Sequence, residues 1–136
     1  MVCITSKGAY SLAAMLFLTR QGCRLAQIKE IAEASQIPQN YLELLLTQLK
    51  KAGLVESVRG TKGGYKMGKN AEKITVLEVL RTMESEISSP EKYGGSPALL
   101  DFWGDVNRQV ESILSVSLQE IADRDECLAN AGNYVI

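Results

Sequence analysis

Residues 38–53, PQNYLELLLTQLKKAG, constrain the fold of this chain more than any other stretch. Leu42, Leu45, Leu46 and Leu49 recur at helical spacing and make one apolar stripe. Pro38 suits a first helical turn, where its missing N–H is not needed, and Gly53 supplies the stop. Gln39, Asn40, Glu43, Thr47, Lys50 and Lys51 lie away from the stripe. Such a helix needs apolar partners, and two candidates precede it. Residues 7–21 carry Leu12, Met15, Leu16 and Leu18 and end at Gly22, and residues 25–34 place Leu25, Ile28, Ile31 and Ala32 on one face. Directly after Gly53 comes LVESVRGTKGGYKMG, two short β-prone runs around a glycine-rich centre, which predicts a hairpin. A fourth helix, ITVLEVLRTMES, follows, with Thr75 at its N-cap and Glu78 three residues on.

The glycine-rich centre has two candidate uses, a phosphate cradle or a hairpin tip. Gly63, Gly68 and Lys69 match the first part of a P-loop, but Asn70 stands where a magnesium-binding hydroxyl is required, and no long helix opens there. The hairpin is the better account. Gly60, Gly63 and Gly64 permit positive φ and close backbone approach, Arg59 can enter a minor groove, and Lys62 and Lys66 can meet phosphates.

Composition removes several classes of function. The chain has no histidine, so Ser-His-Asp and Cys-His catalysis and imidazole metal ligation are excluded. Its three cysteines, Cys3, Cys23 and Cys127, are an odd number without close spacing, which argues against a disulfide framework and a CxxC zinc site. No apolar run approaches the ~20 residues of a membrane span, and the first residues lack the pattern of a signal peptide. A cytoplasmic protein of one domain, or one domain with an appendage, is expected. Charge is distributed unevenly. Residues 1–73 hold eleven Lys and Arg against five Asp and Glu, whereas residues 74–136 hold four against eleven. A basic half joined to an acidic one suits a polyanion-binding module attached to something else.

Three helices followed by a two-stranded hairpin form the winged helix-turn-helix pattern, so a mainly α fold is predicted, with the third helix entering a DNA major groove. Gln39 and Asn40 can donate to and accept from adenine, Glu43 can accept from the cytosine amino group, and Tyr41 can touch phosphate or a thymine methyl. Leu44 is either a thymine-methyl contact or a tolerated exposed leucine. Lys50 and Lys51 can meet phosphates, as can Ser6, Lys7 and Tyr10 at the start of the first helix, where free N–H groups attract anions.

Past a loop, residues 85–97, a long helix is expected from about residue 98 to 115. Leu99, Trp103, Val106, Val110 and Ile113 form a heptad-like seam over two heptads. A core helix could show the same pattern, but the amino-terminal helices already have each other to pack on, so a dimerisation helix is the expectation. A last short helix, to about residue 124, precedes a tail over 125–136. Residues 1–84 then form the DNA-binding domain and 98–124 the dimerisation region. Cys23 lies between the first two helices, flanked by Arg20 and Arg24. A redox role is open to it, although a half-buried structural cysteine is the preferred alternative.

The stretches ITSKGAYSLAAML, EIAEASQIPQNYLELLLTQLKKAGLVESVRGTKGGYKMG and ITVLEVL resemble the Rrf-type family of bacterial transcription regulators over roughly residues 2–84. The resemblance implies a homodimer on a palindromic operator, with Asn40, Tyr41 and Glu43 in the major groove and Arg59 and Gly60 in the wing. Many members hold an iron–sulfur cluster with three closely spaced cysteines before the dimerisation helix. The matching stretch here, ESEISSPEKYGGSPALLDFW, has none, so no cofactor is expected and the resemblance shifts toward the cluster-free, cysteine-metabolism repressor type. The Tyr134-Val135-Ile136 ending is similar to that type and implies docking into cysteine synthase, against the plainer alternative of a frayed terminus. A protein-interaction module of the same fold is the competing class of function, and the basic amino-terminal half disfavours it.

Overall fold

The computed structural model describes residues 4–84 and 94–133. The Tyr134-Val135-Ile136 ending and most of the 85–97 loop lie outside them. Helix α1 spans Ser6–Gln21, α2 Ile28–Ser35 and α3 Gln39–Lys51. Strands β1, Val55–Val58, and β2, Gly64–Met67, form an antiparallel hairpin in which Val55 faces Met67 and Val58 faces Gly64. A 3-10 turn over Ala71–Lys73 leads into α4, Val76–Met83, and beyond it lie α5, Pro97–Leu114, and α6, Leu118–Asn133.

The leucine stripe of α3 is the centre of the core. Leu42, Leu45, Leu46 and Leu49 are all buried, together with Met15 and Leu18 of α1, Ile31 of α2 and Val79 and Met83 of α4. On α1 the buried face is Ser11, Ala14, Met15 and Leu18, while Leu12 and Leu16 are half-buried. Ser11 tolerates burial because its hydroxyl donates to the Lys7 carbonyl at 2.7 Å. Thr75 caps α4 as expected, its hydroxyl accepting from the Glu78 amide at 3.0 Å.

Three expectations need correction. The second helix begins at Ile28, not 25. Ala26 is buried and extended, its N–H donating to the Tyr65 carbonyl at 2.9 Å and its carbonyl accepting from the Tyr65 N–H at 2.8 Å. The hairpin competes successfully for these backbone groups and ties itself to the lead-in of α2. At the other end, the last helix is not short, because residues 125–133, expected as tail, continue α6. The stretch ADRDECLANA is rich in helix formers, and Arg124 pairs with Glu120 one turn back. Nor is α6 an appendage. Leu118 and Ala122 are buried, the Leu118 N–H donates to the Ile74 carbonyl at 2.9 Å, and Asp125 pairs with Arg20 of α1 at 3.3 Å. Finally, Cys23 is exposed rather than half-buried.

Helix α5 stands apart. None of its 18 residues is buried, although it carries Leu99, Leu100, Phe102, Trp103, Val106, Val110 and Ile113. It touches the rest of the chain along α4, where Arg81 reaches Glu111 at 2.7 Å.

Candidate nucleic-acid interface

Burial of the leucine stripe turns the opposite side of α3 outward. Gln39, Asn40, Glu43, Leu44, Thr47, Lys50 and Lys51 are all exposed. Thr47 donates its hydroxyl to the Glu43 carbonyl at 2.8 Å, so that hydroxyl is satisfied within the helix, whereas the Gln39, Asn40 and Glu43 side chains project from its first two turns. Tyr41 is half-buried. Its ring meets that of Tyr10 edge-on at 5.8 Å, so the two tyrosines brace α1 against the start of α3.

The wing stands beside α3. Its tip runs from Arg59 to Gly63 and is closed by the Gly63 N–H donating to the Gly60 carbonyl at 3.0 Å. Gly60 has φ 114°, which L side chains rarely adopt. Gly63 does not have the expected positive φ. It is glycine for lack of space, since a Cβ would lie 2.0 Å from the Val58 carbonyl oxygen. Arg59, Gly60 and Lys62 are exposed.

Basic side chains on this surface divide into paired and unpaired sets. Arg20, Arg24, Lys66, Lys69, Arg81, Arg108 and Arg124 each have a carboxylate partner. Lys66, expected on phosphate, thus faces Glu56 across the hairpin. Lys7, Lys29, Lys50, Lys51, Arg59, Lys62 and Lys73 form no close ion pair among the described residues, although the Lys7 charge acts on Glu84 at longer range. Of the cations expected on DNA from the sequence, all but Lys66 are in this unpaired set. Unneutralised positive charge beside exposed amide side chains suits a phosphate backbone flanking base edges.

Two residues escaped sequence reasoning. Gln27 occupies the N-cap position of α2 but makes no cap bond, and its side-chain amide leans toward the Thr61 and Gly63 carbonyls of the wing tip at 3.5 and 3.4 Å. A glutamine where Ser, Thr, Asp or Asn would cap was the only available signal. Glu84 sits at the amino end of α1, where Ser6, Lys7 and Tyr10 had been expected to offer phosphate a set of free amides. Its carboxylate takes the Thr5 N–H at 3.1 Å. The Thr5 hydroxyl, helped by the amides of Thr5 and Gly8, holds the Glu84 carboxyl below the usual glutamate range against an opposing effect of desolvation. The Thr5 amide at this end is therefore already engaged and is not offered to an anion.

At Cys23 both flanking guanidiniums are engaged. Arg20 pairs with Asp125, and Arg24 with Gln21 and Glu30. The Arg24 hydrogen bond holds the Glu30 carboxyl below its ordinary range. No group of three or more His, Cys, Asp or Glu among the described residues could hold a metal ion. The segment between α4 and α5 contains no cysteine or histidine, so the thiolate set of an iron–sulfur cluster does not fit this chain.

A helix-turn-helix with a basic wing and outward-facing amide side chains defines a DNA-binding transcription regulator. A family model described as "Iron-dependent Transcriptional regulator", Rrf2, matches residues 4–124, and the chain belongs to that family. It is 34% identical over 122 residues to the HTH-type transcriptional regulator CymR of Bacillus subtilis, covering 88% of each chain. It is 35% identical over 140 residues to the HTH-type transcriptional regulator IscR of Photorhabdus laumondii, covering 95% of this chain and 84% of that one. The structure of CymR (YrzC), the global cysteine regulator of B. subtilis, superposes with a TM-score of 0.83 at 34% identity, covering 91% of this chain and 98% of that one. These relatives are regulators, and the chain is not an enzyme. Among the described residues no helix is long and apolar enough to cross a membrane.

Proposed function

We propose that the chain is a homodimeric repressor that binds a palindromic operator without an iron–sulfur cluster and controls genes of cysteine or sulfur metabolism. The observation that carries this reading is the exposed amide face of α3 beside the wing, with Lys50, Lys51, Arg59 and Lys62 free of close ion pairs among the described residues around it. In this assignment Gln39, Asn40 and Glu43 read base edges and Tyr41 supports them. Arg59 probes the minor groove, the amides of Gly60, Gly63 and Gly64 let the wing approach the backbone, and Ser6, Lys7, Tyr10, Lys50 and Lys51 hold phosphates. Support for the dimer is the apolar seam of α5, in which Leu99 and Ile113 are exposed and Trp103, Val106 and Val110 are half-buried, with Leu100 and Phe102 exposed beside it. Likeness to a cysteine regulator and the lack of cluster ligands support the metabolic assignment. A redox role for Cys23 is less well supported, because carboxylates already neutralise the cations that would favour its thiolate.

Selection of bound DNA from a random pool tests the reading directly. A palindrome with half-sites about 34–36 Å apart is the expected product, and recovery of no shared sequence would refute it. Two variants separate reading from anchoring. Asn40→Ala should lose about 1–2 kcal/mol of discrimination at one operator position. Arg59→Ala should weaken binding about tenfold and affect mainly the flanking, minor-groove positions. Competition titrations with single-base operator variants measure both effects.

A further inference from the structure

The first turn of α1 is held by a residue far along the chain. Thr5 stands at the N-cap position, yet its hydroxyl does not cap its own helix. It donates instead to Glu84 Oε1 at 2.5 Å, and the same oxygen accepts the Thr5 N–H. Gly8 makes the space. A Cβ at that position would lie 2.9 Å from Glu84 Oε1 and 2.8 Å from Leu80 Cδ2, so any side chain there would displace the carboxylate and the Leu80 methyl.

A carboxylate at this end could act in two opposite ways. It could repel an operator phosphate, or it could fix the turn that presents the phosphate contacts. Helix geometry decides between them. At 100° per residue, Gly8 lies two positions from both Ser6 and Tyr10, about 160° around the axis from each, which places those two about 40° apart on the opposite side. Glu84 therefore grips α1 from behind, on the buried side of Gly8, while Ser6 and Tyr10 face the other way. Lys7 lies between these sides; its charge helps to keep the Glu84 carboxylate ionised, but the two form no close ion pair. Helix ends fray unless their donors are satisfied, and an acceptor anchored on a second helix suppresses fraying.

We propose that Glu84 is a positioning residue that clamps the first turn of α1 to the end of α4, so that Ser6, Lys7 and Tyr10 meet the operator backbone in a fixed geometry. The inference rests on the DNA-binding assignment above and adds to it the group that aims one set of contacts.

The test is a salt titration of operator binding, using the DNA recovered by selection, for the wild-type protein and for Glu84→Ala, Glu84→Gln, Thr5→Val and Lys7→Ala. Thermal melts of each variant are recorded alongside. Glu84→Ala should bind about tenfold more weakly and flatten the log–log salt dependence by about 0.9, the contribution of one neutralised phosphate. Base preference should not change. Glu84→Gln keeps an oxygen that can accept from Thr5 and should recover most of the affinity and slope. Thr5→Val, which retains Glu84 and the Thr5 N–H, should fall between them. A purely structural role would lower the melting temperature without moving the salt slope. Wild-type slope and affinity in Glu84→Ala would overturn the clamp, and a rise in affinity would identify the carboxylate as a repelling group instead. If Lys7→Ala flattens the slope and Glu84→Ala does not, only the clamp fails. If the wild-type protein shows no salt-dependent operator binding, the DNA-binding assignment fails with it.

Discussion

Gly64→Val is expected to lower operator affinity by about a hundredfold or more, through loss of the phosphate and minor-groove contacts proposed for the wing, while leaving intact the base preference proposed for α3. A Cβ at residue 64 would lie 2.6 Å from the Ala26 carbonyl oxygen and 2.9 Å from the Ala26 carbonyl carbon. Both are backbone atoms, so no side-chain rotation relieves the clash. The hairpin must move, and the bonds that fail are the two between Ala26 and Tyr65 that hold it beside α2. Overpacking of this kind costs about 1–3 kcal/mol, and the two hydrogen bonds contribute about 1 kcal/mol each. A melting temperature lower by roughly 10 °C is expected for a chain of this size. Gly60→Ala is the control. Nothing lies within 4 Å of a Cβ at Gly60, so only its positive φ opposes substitution, at about 1 kcal/mol. Melting curves and operator titrations should therefore rank Gly64→Val well below Gly60→Ala. Equal behaviour would mean that contact with Ala26 does not hold the wing.

The parts of this fold that were legible in the sequence are those whose pattern repeats locally. The Leu42, Leu45, Leu46 and Leu49 stripe is buried as its spacing implied, and with it the exposure of Gln39, Asn40 and Glu43 was determined. The hairpin and the Thr75 cap were equally local. What was missed depends on contacts between distant segments. Residues 25–27 fit a helical period, but Ala26 is drawn into pairing with Tyr65, 39 positions away, and no periodicity can show that competition. Glu84 is one carboxylate among many until α4 packs on α1 and Gly8 leaves room for it. The last helix was cut short because its outer face is polar, although Leu118 and Ala122 anchor its first turns in the core. The free cations were visible as residues, but their freedom was not. Lys66 and Lys62 look alike in sequence, and only the register of β1 on β2 sets Glu56 opposite Lys66.

Charge placed on α5 should convert a dimer to a monomer and produce the largest loss of operator binding of any change considered. Phe102 is 54% exposed and Ile113 74% exposed, and eleven residues of helix separate them by almost whole turns, so they share a face with Leu99 and Val106. Phe102 also leans on Trp103, with ring centroids 5.3 Å apart. Because both side chains already face solvent in the single chain, Phe102→Glu with Ile113→Glu should change the stability of that chain by only about 0.5 kcal/mol per site. Against a second copy of α5 the same carboxylates would be buried without partners, which costs several kcal/mol each. Sedimentation should then show a fall from twice the 14.9 kDa chain mass to once that mass. Two half-sites bound by one dimer gain about 10²–10⁴ in avidity over one half-site, so affinity for the full palindrome should fall by that factor while affinity for an isolated half-site stays the same. Folding of the separated chain should persist, because the core formed by α1 to α4 and the start of α6 contains no residue of α5. A double variant that keeps its dimeric mass would exclude the α5 face as the interface, whatever its effect on DNA, and would shift attention to the exposed Cys127 and Leu128 on α6.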